Sequence, residues 1–334
     1  MSGHHGARSG RSISVVIPTY NRAPLLAETI GRVMSQTRPA DEVVVIDDGS
    51  TDDTCDVLAG YGTRLTVIRI DNSGELVARN TGLAAARSAL VAFCDSDDLW
   101  EPDFLAAMTA FWEDGAAEPL CAYADFREVR DGAWSAHSKF GAAPPGYWSG
   151  LQAIDAERAL FRTPLVRALL TFQPFFPSCM MVDRARFLAL GGWDTGVTGL
   201  VGCDFATTLR IAEHPPIGVL RRPLVRVRKH AGNFSGDVQR MNLGDAAVLA
   251  HVLATRASLA PYAAEIRRSI AARRAAAFDT AFARGDFAAA DGVARLLDAP
   301  PRALRYRVKR AVLRLPPALR GPTWRMLTQG RAAT

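Results

Sequence analysis

The sequence predicts an α/β fold: a mostly parallel sheet flanked by helices, followed by a helical C-terminal extension. Three observations predict it. Short β-branched runs alternate with segments of helical periodicity through the first third of the chain, which is the signature of strand–helix–strand units. The runs are apolar throughout rather than alternating, as strands covered on both faces require. Beyond Met241 the chain turns Ala- and Arg-rich, with helical and no strand character.

Each element follows in order. "ISVVIP" (13–18) is a first strand stopped by Pro18, and "APLLAETIGRVMSQT" (23–37) a helix with Pro24 in its first turn. "EVVVID" (42–47) is a second strand; "STDDTCDVLAGYG" (50–62) reads as a capped helix ending near glycine. "RLTVIRI" (64–70), "GELVARNTGLAAARS" (74–88) and "ALVAFC" (89–94) give a third strand, a helix and a fourth strand, and a helix from about Pro102 to Trp112 follows. Strand signals return in "CAYADFREV" and in "PSCMMVDRARFLALGGWD" (177–194), the latter continuing into a short helix and a Gly-Gly turn. "CDFATTLRIAEH" (203–214) begins a helix with Asp204 near its start, and "IGVLRRPLVRVRKH" (217–230) reads as a strand region broken by Pro223. The expected organisation is an arm over 1–11, a catalytic domain over 12–236 and a helical extension over 237–334.

Length and composition set limits. A chain of 334 residues suits a large α/β domain with an appendage, and 49% hydrophobic residues are enough for a sizeable core. Five scattered cysteines with no CxxC spacing argue against a disulfide frame or a zinc site and for a reducing compartment. No apolar run reaches the roughly 18–20 residues that span a bilayer. "MSGHHGARSGR" lacks the apolar core of a signal peptide, and His4 and His5 are too few to argue for a metal. The expected location is cytoplasmic, free or peripheral on the inner face of a membrane. From Pro301 to Thr334 there is no Asp or Glu, while Arg302, Arg305, Arg307, Lys309, Arg310, Arg314, Arg320, Arg325 and Arg331 all fall there. Arginines alternating with Leu, Val and Trp read either as an interfacial helix on an anionic membrane surface or as a helix whose apolar side packs on the protein. Nucleic acid is not an expected partner, because little aromatic interleaving accompanies the charge.

The chemistry concentrates at strand ends. In open parallel sheets, ligands bind beyond the carboxyl ends of the strands. "TYNR", "DDGSTDD" and "DSDD" all lie there, on one edge of one sheet. In "ALVAFCDSDDLW" (89–100), Asp95, Asp97 and Asp98 crowd together. Capping the next helix needs one carboxylate, not three. The surplus fits Mg2+ or Mn2+, which take one or two carboxylates plus substrate phosphates. In "VVVIDDGSTDDT" the acidic turn is good turn chemistry, and a carboxylate there can equally accept a base N–H or a ribose hydroxyl.

Taken together, "SVVIPTYNR" (14–22), "VVVIDDGSTDDT" (43–54), "NSGELVARNTGL" (72–83) and "FCDSDD" (93–98) resemble the family 2 glycosyltransferases, inverting enzymes of the GT-A fold with a Rossmann-like sheet. "MMVDRARFLALGGWD" with "GCDFATTLRI" resembles the family's second-half signature, and "RKHAGNFS" (228–235) its Arg-x-His segment. The resemblance covers roughly 12–236. It implies that Pro18, Thr19 and Tyr20 lie against the nucleotide base, that Asp47 reads uracil or thymine, and that Asp48 holds the turn. Arg79 and Asn80 border the nucleotide, or Arg79 packs the turn. Asp95 and Asp97 are the ends of a DxD motif: Asp97 for the metal, Asp95 for the ribose or metal, with Asp98 behind them or capping a helix. His230 faces the metal or diphosphate.

The same resemblance aligns Asp204 with the catalytic base. The family usually carries an acidic pair there, and Cys203 replaces the first acid. Trp193 and Asp194 sit where an acceptor or donor sugar is held, although a core tryptophan is an equal reading. The implied activity is metal-dependent inverting transfer from a UDP- or dTDP-sugar to a hydroxyl of a saccharide or lipid-linked acceptor, as in cell-surface polysaccharide synthesis. The alternative is a catalytically silent relative that binds sugar nucleotide or acts as a scaffold. "PTYNRAP" lacks the Gly-rich basic loop of a sugar nucleotidyltransferase, and no GxGxxG follows the first strand as a dinucleotide oxidoreductase needs.

Overall fold

The computed structural model describes residues 10–113, 118–230, 237–297 and 303–329. Most of the N-terminal arm, residues 231–235 of "RKHAGNFS" and both ends of the basic tail lie outside the described residues. The chain divides into two compact units: Met1–Gly199 with Asp204–Ala231, and Leu200–Cys203 with Gly232–Thr334.

The first unit opens with three strand–helix repeats and a fourth strand. They are β1 (Ile13–Thr19), α1 (Ala23–Met34), β2 (Glu42–Asp47), α2 (Thr54–Ala59), β3 (Thr66–Arg69), α3 (Glu75–Ala85) and β4 (Leu90–Phe93). A short β5 (Leu99–Trp100), α4 (Phe104–Glu113), β6 (Cys121–Arg130), β7 (Ala133–Trp134), β8 (Leu151–Ala153), β9 (Arg158–Phe161) and α5 (Val166–Thr171) follow. The unit closes with β10 (Met180–Asp183), α6 (Arg184–Ala189), α7 (Asp204–Ala212) and β11 (Ile217–Lys229).

The main sheet runs β3-β2-β1-β4-β10-β6-β11-β9-β8, with β5 on β11 and β7 on β6. β3, β2, β1 and β4 are mutually parallel. β1 is buried along its whole length, so both faces of its apolar run are used, which is why that run does not alternate. Each such side chain contributes about 1.5–3 kcal/mol on burial. Helix α3 lies so close to β1 that a Cβ on Gly82 would stand 2.3 Å from Val16 Cγ1. The α/β architecture with a mostly parallel sheet flanked by helices is the GT-A arrangement that the motifs imply.

Three local expectations change. Pro223 does not break the strand: β11 is continuous, and the register on β6 shifts on either side of Pro223. A bulge absorbs the missing N–H and bends the strand instead of ending it. The helix expected from residue 50 begins only at Thr54, because residues 50–53 are drawn into the turn after β2. Asp98 caps no helix, since α4 starts six residues later at Phe104.

The second unit is helical: α8 (Val238–Thr255), α9 (Ala263–Ala283), α10 (Phe287–Arg295), α11 (Leu304–Arg314) and α12 (Pro317–Gln329). Asp237 caps α8 by accepting from Gln239 N at 2.8 Å and Arg240 N at 3.2 Å, and Asp286 caps α10 through Ala289 N at 2.9 Å. Its core gathers Phe278, Phe282, Val293, Tyr306, Val312 and Leu313.

Candidate active site

The sheet topology builds the site. β1, β2 and β4 run parallel and end at one edge, at Thr19, at Asp47 and just before Asp95. β10 is antiparallel to both β4 and β6, and β11 is parallel to β6. β11 therefore points the same way as β4 and returns the chain to that edge, where His230 follows its last residue.

At the nucleotide end, Asp47 is almost wholly buried. Its Oδ1 accepts from Ser50 N at 2.9 Å, while Oδ2 accepts from the Cys55 thiol at 3.3 Å and lies 3.2 Å from Arg69 Nη1. Burial pushes the Cys55 thiol up, and the Asp47 carboxylate adds to the effect. Asp48 accepts from Ser73 N at 2.7 Å and Gly74 N at 2.9 Å, so it ties the turn after β2 to the start of α3. Asn21, in the left-handed region at φ 50°, accepts from Thr51 N at 2.8 Å and joins the two turns. Pro18 and Thr19 are buried, Thr19 Oγ1 has no partner among the described residues, and the Tyr20 ring is 44% exposed and free to stack. An open cleft of about 330 Å³ beside Asp47 is lined by Cys55, Leu58, Leu65, Val67 and Arg69.

The three crowded carboxylates take three different partners. Asp95 Oδ1 accepts from Arg79 Nη2 at 2.7 Å, and the buried Arg79 guanidinium also lies over the Trp193 ring at 4.9 Å. Burial pushes the Asp95 carboxyl up; Arg79 opposes this and the Asp97 charge adds to it. Asp97 Oδ2 stands 3.0 Å from His230 Nε2 and 3.5 Å from Arg22 Nε. Asp98 is buried, accepting from Ser178 Oγ at 2.5 Å and Arg228 N at 3.1 Å. Burial holds its carboxyl well above the usual range, with Asp97 and Asp95 raising it further.

Arg228 is the residue whose scope sequence reasoning missed. Its Nε donates to the Asp97 carbonyl, and its Nη2 donates to Leu25 O at 3.1 Å and Thr29 Oγ1 at 2.9 Å. It thus ties the acidic turn to α1 while its neighbour His230 reaches Asp97. Ser178, also unflagged, serves both sides of the turn by accepting from Asp95 N at 3.0 Å and donating to Asp98.

The structure gives Asn80 and the Gly-Gly turn specific partners. Asn80 spends its amide on one backbone position, donating to Trp193 O at 2.9 Å and accepting from Trp193 N at 2.8 Å. Gly192, at φ 61°, permits this approach: a Cβ there would stand 2.6 Å from Asn80 Oδ1. Trp193 is 2% exposed, edge-on to Phe93 and Phe187 and beneath Arg79, so it presents no open face to a sugar. The apolar surroundings of its ring decide this. Asp194 accepts from Gly196 N at 3.2 Å, and its own N–H donates to Thr207 Oγ1 at 2.9 Å on α7. Its backbone is therefore committed to holding the turn against α7.

Asp204 is the first residue of α7 and is partly exposed. Tyr123 on β6 is near enough to feel its charge. Burial pushes the Tyr123 hydroxyl well above its ordinary value, and Asp204 is among the groups that raise it. Cys203 is buried.

Asp97 Oδ2 and His230 Nε2 stand 3.0 Å apart as a hydrogen-bonded pair, and a Mg2+ or Mn2+ ion would take that proton's place between one carboxylate and one imidazole. Among the described residues no group of three or more acidic, His or Cys side chains forms an all-protein cage. Such ions keep waters and take substrate phosphates as their remaining ligands.

The family model for glycosyl transferase family 2 matches residues 14–182. The chain belongs to this family. The matched region contains the "TYNR", "DDGS" and "DSDD" turns and ends on β10. The chain is similar to the succinoglycan biosynthesis protein ExoW of Rhizobium meliloti, with 35% identity over 194 residues, 52% of this chain and 56% of that protein. It is also similar to validoxylamine A glucosyltransferase of Streptomyces hygroscopicus, with 31% identity over 221 residues, 60% of this chain and 51% of that protein. The chain thus spans about half the length of these curated relatives. Among solved structures it resembles S. aureus TarS 1–349 in complex with UDP-GlcNAc, with a TM-score of 0.59 and 18% identity over 96% of this chain and 91% of that one. At that identity the likeness is one of fold.

Proposed function

We propose that this protein transfers a sugar from a nucleoside-diphosphate donor, UDP- or dTDP-linked, to a hydroxyl of a saccharide or lipid-linked acceptor, with inversion at the anomeric carbon. The observation that carries the reading is the approach of His230 to Asp97, across 133 residues of sequence, at the strand edge that also holds Asp47. Asp47 offers a carboxylate to the base, the exposed Tyr20 ring stacks on it, and Asp95 faces the ribose with its charge balanced by Arg79. Asp97 and His230 would hold Mg2+ or Mn2+. The cation, when bound, supplies positive charge against the diphosphate leaving group. Asp204 takes the proton of the acceptor hydroxyl as that oxygen forms its bond to the anomeric carbon from the face opposite the departing phosphate oxygen. The bond to phosphate breaks, and nucleoside diphosphate leaves with the electron pair.

The names of two similar proteins support the class of chemistry: ExoW is a succinoglycan biosynthesis protein, and TarS was crystallised with UDP-GlcNAc. Cell-surface polysaccharide assembly at the inner face of the membrane, where lipid-linked acceptors are held, belongs to the same reading. A panel of nucleotide sugars tests it, read first by thermal shift with and without Mn2+ and then by nucleoside diphosphate release with candidate acceptors. One donor stabilising the protein only with the metal is the expected result. No stabilisation by any UDP- or dTDP-sugar rejects the reading. Donor binding without transfer to any acceptor selects the silent alternative, which the replacement of the usual acid by Cys203 favours.

A further inference from the structure

The basic tail divides its apolar side chains between two faces. On α11, Tyr306, Val312 and Leu313 turn inward onto Phe278 and its neighbours. Leu304, Val308 and Ala311, spaced i, i+4 and i+7, form a second stripe that is exposed; Leu304 is 72% exposed. On α12, Leu319 and Met326 repeat the pattern at i and i+7, with Met326 73% exposed. Two other basic side chains of the tail are engaged within the unit, Lys309 with Asp279 at 2.7 Å and Arg310 with Asp291 at 3.2 Å. Arg305, Arg307, Arg314 and Arg325 are exposed and make no ion pair among the described residues. The packing reading of the tail is met by Tyr306, Val312 and Leu313 of α11, and the exposed side chains leave the membrane reading as a proposal.

We propose that the exposed face of α11 and α12 docks on an anionic lipid bilayer, with Leu304, Val308, Leu319 and Met326 entering the headgroup boundary and Arg305, Arg307, Arg314 and Arg325 meeting lipid phosphates. Charge complementarity names this occupant. A segment with no acidic residue between Pro301 and Thr334 meets a negatively charged leaflet without a like-charge penalty. Exposed leucine and methionine beside unpaired arginine is the pairing that an interfacial helix requires. Single-stranded nucleic acid fits less well. It needs aromatic faces on which bases stack, and Tyr306 is buried while Trp324 is committed through Nε1 to Phe282 O at 2.7 Å. The inference stands apart from the donor reading, because docking uses no residue of the strand-edge site.

Vesicle flotation of the full chain tests it. The probes are phosphatidylcholine vesicles with and without 30% phosphatidylglycerol, at low and high salt. Binding only to the anionic vesicles, reversed by salt, is the expected result. The triple variant Arg305→Gln, Arg307→Gln, Arg314→Gln should lose affinity by about 100-fold, at about fivefold for each arginine. The variant Leu304→Ser, Leu319→Ser, Met326→Ser should also detach, with both variants melting as the wild type does. Equal binding to neutral and anionic vesicles, no binding, or unchanged binding by both variants overturns the proposal. So does a dimer in light scattering that the Leu304→Ser, Leu319→Ser, Met326→Ser variant dissociates, which would make a second copy the occupant. Nucleotide affinity measured on the same samples is expected to be unchanged, which keeps failure here separate from failure of the donor reading.

Discussion

Asn80 offers the sharpest separation between a residue that touches the nucleotide and one that builds the wall behind it. Its two hydrogen bonds, at 2.9 and 2.8 Å, hold both polar atoms of the Trp193 backbone. Asn80→Ala strands that N–H and C=O next to a buried tryptophan. Each unsatisfied buried group costs about 1–3 kcal/mol, so the loss is about 2–4 kcal/mol once partial relaxation is allowed. At about 2–4 °C per kcal/mol for a unit of this size, the melting transition should fall by roughly 5–12 °C. Asn80→Asp is the stricter test. It keeps the acceptor for Trp193 N–H but sets a carboxylate oxygen against the Trp193 carbonyl, so it should melt at least as low as the alanine variant. Thermal unfolding by circular dichroism reads the stability, and calorimetry with UDP below the transition reads the site. The expected pattern is a large fall in melting temperature with nucleotide affinity held within a few fold. A melting temperature within about 1 °C of wild type, together with lost nucleotide affinity, would refute the reasoning and return Asn80 to the nucleotide.

Three further outcomes follow from the same geometry. Arg228→Ala removes donors from Asp97 O, Leu25 O and Thr29 Oγ1; it should destabilise by about 3 kcal/mol and weaken metal-dependent nucleotide affinity, whereas a wild-type melt and wild-type affinity would free Arg228 of both roles. Asp204→Asn should cut transfer by about 10²–10⁴-fold, the usual worth of a general base, with donor affinity intact; normal turnover would remove Asp204 as the base. Burial raises the Asp125 carboxyl above its ordinary value, against the hydrogen bonds it accepts from Phe126 N and Phe140 N. The folded state therefore binds more protons than the unfolded chain between the two pKa values, and stability should fall as pH rises through that window. Asp125→Asn should flatten this slope in denaturant melts from pH 4 upward; an unchanged slope would assign it elsewhere.

The parallel half of the sheet was legible because its physics is local. Runs such as "ISVVIP" and "EVVVID" are buried on both faces, so their composition alone marks them, and the polar turns after them had to share an edge. Asp48 is different: the resemblance alone gave it the turn, and the N–H groups it accepts from, on Ser73 and Gly74, lie 25 and 26 residues away. What escaped the sequence depends on contacts between distant segments. Nothing in "PSCMMVD" says that β10 inserts antiparallel between β4 and β6, yet that insertion aims β11 and His230 at Asp97. A proline in "LRRPLV" reads as a stop, whereas the partner strand tolerates it as a bulge. Trp193 was ambiguous because a tryptophan suits a sugar face and a core equally; Phe93, Phe187 and Arg79, far apart in sequence, decide for the core. Asp98 looked like a cap because capping is local, but Ser178 and the Arg228 N–H, 80 and 130 residues away, claim its two oxygens.

The measurement that reaches the central claim most directly is calorimetric UDP binding with and without Mn2+, in the wild type and in Asp97→Ala. The Asp97–His230 pair is read as the protein's share of a cation site whose other ligands come from the diphosphate. The wild type should therefore bind UDP at least tenfold more tightly with Mn2+, and Asp97→Ala should bind it equally weakly with or without the metal. Metal-enhanced affinity that survives intact in Asp97→Ala, or a wild type indifferent to Mn2+, would contradict that assignment.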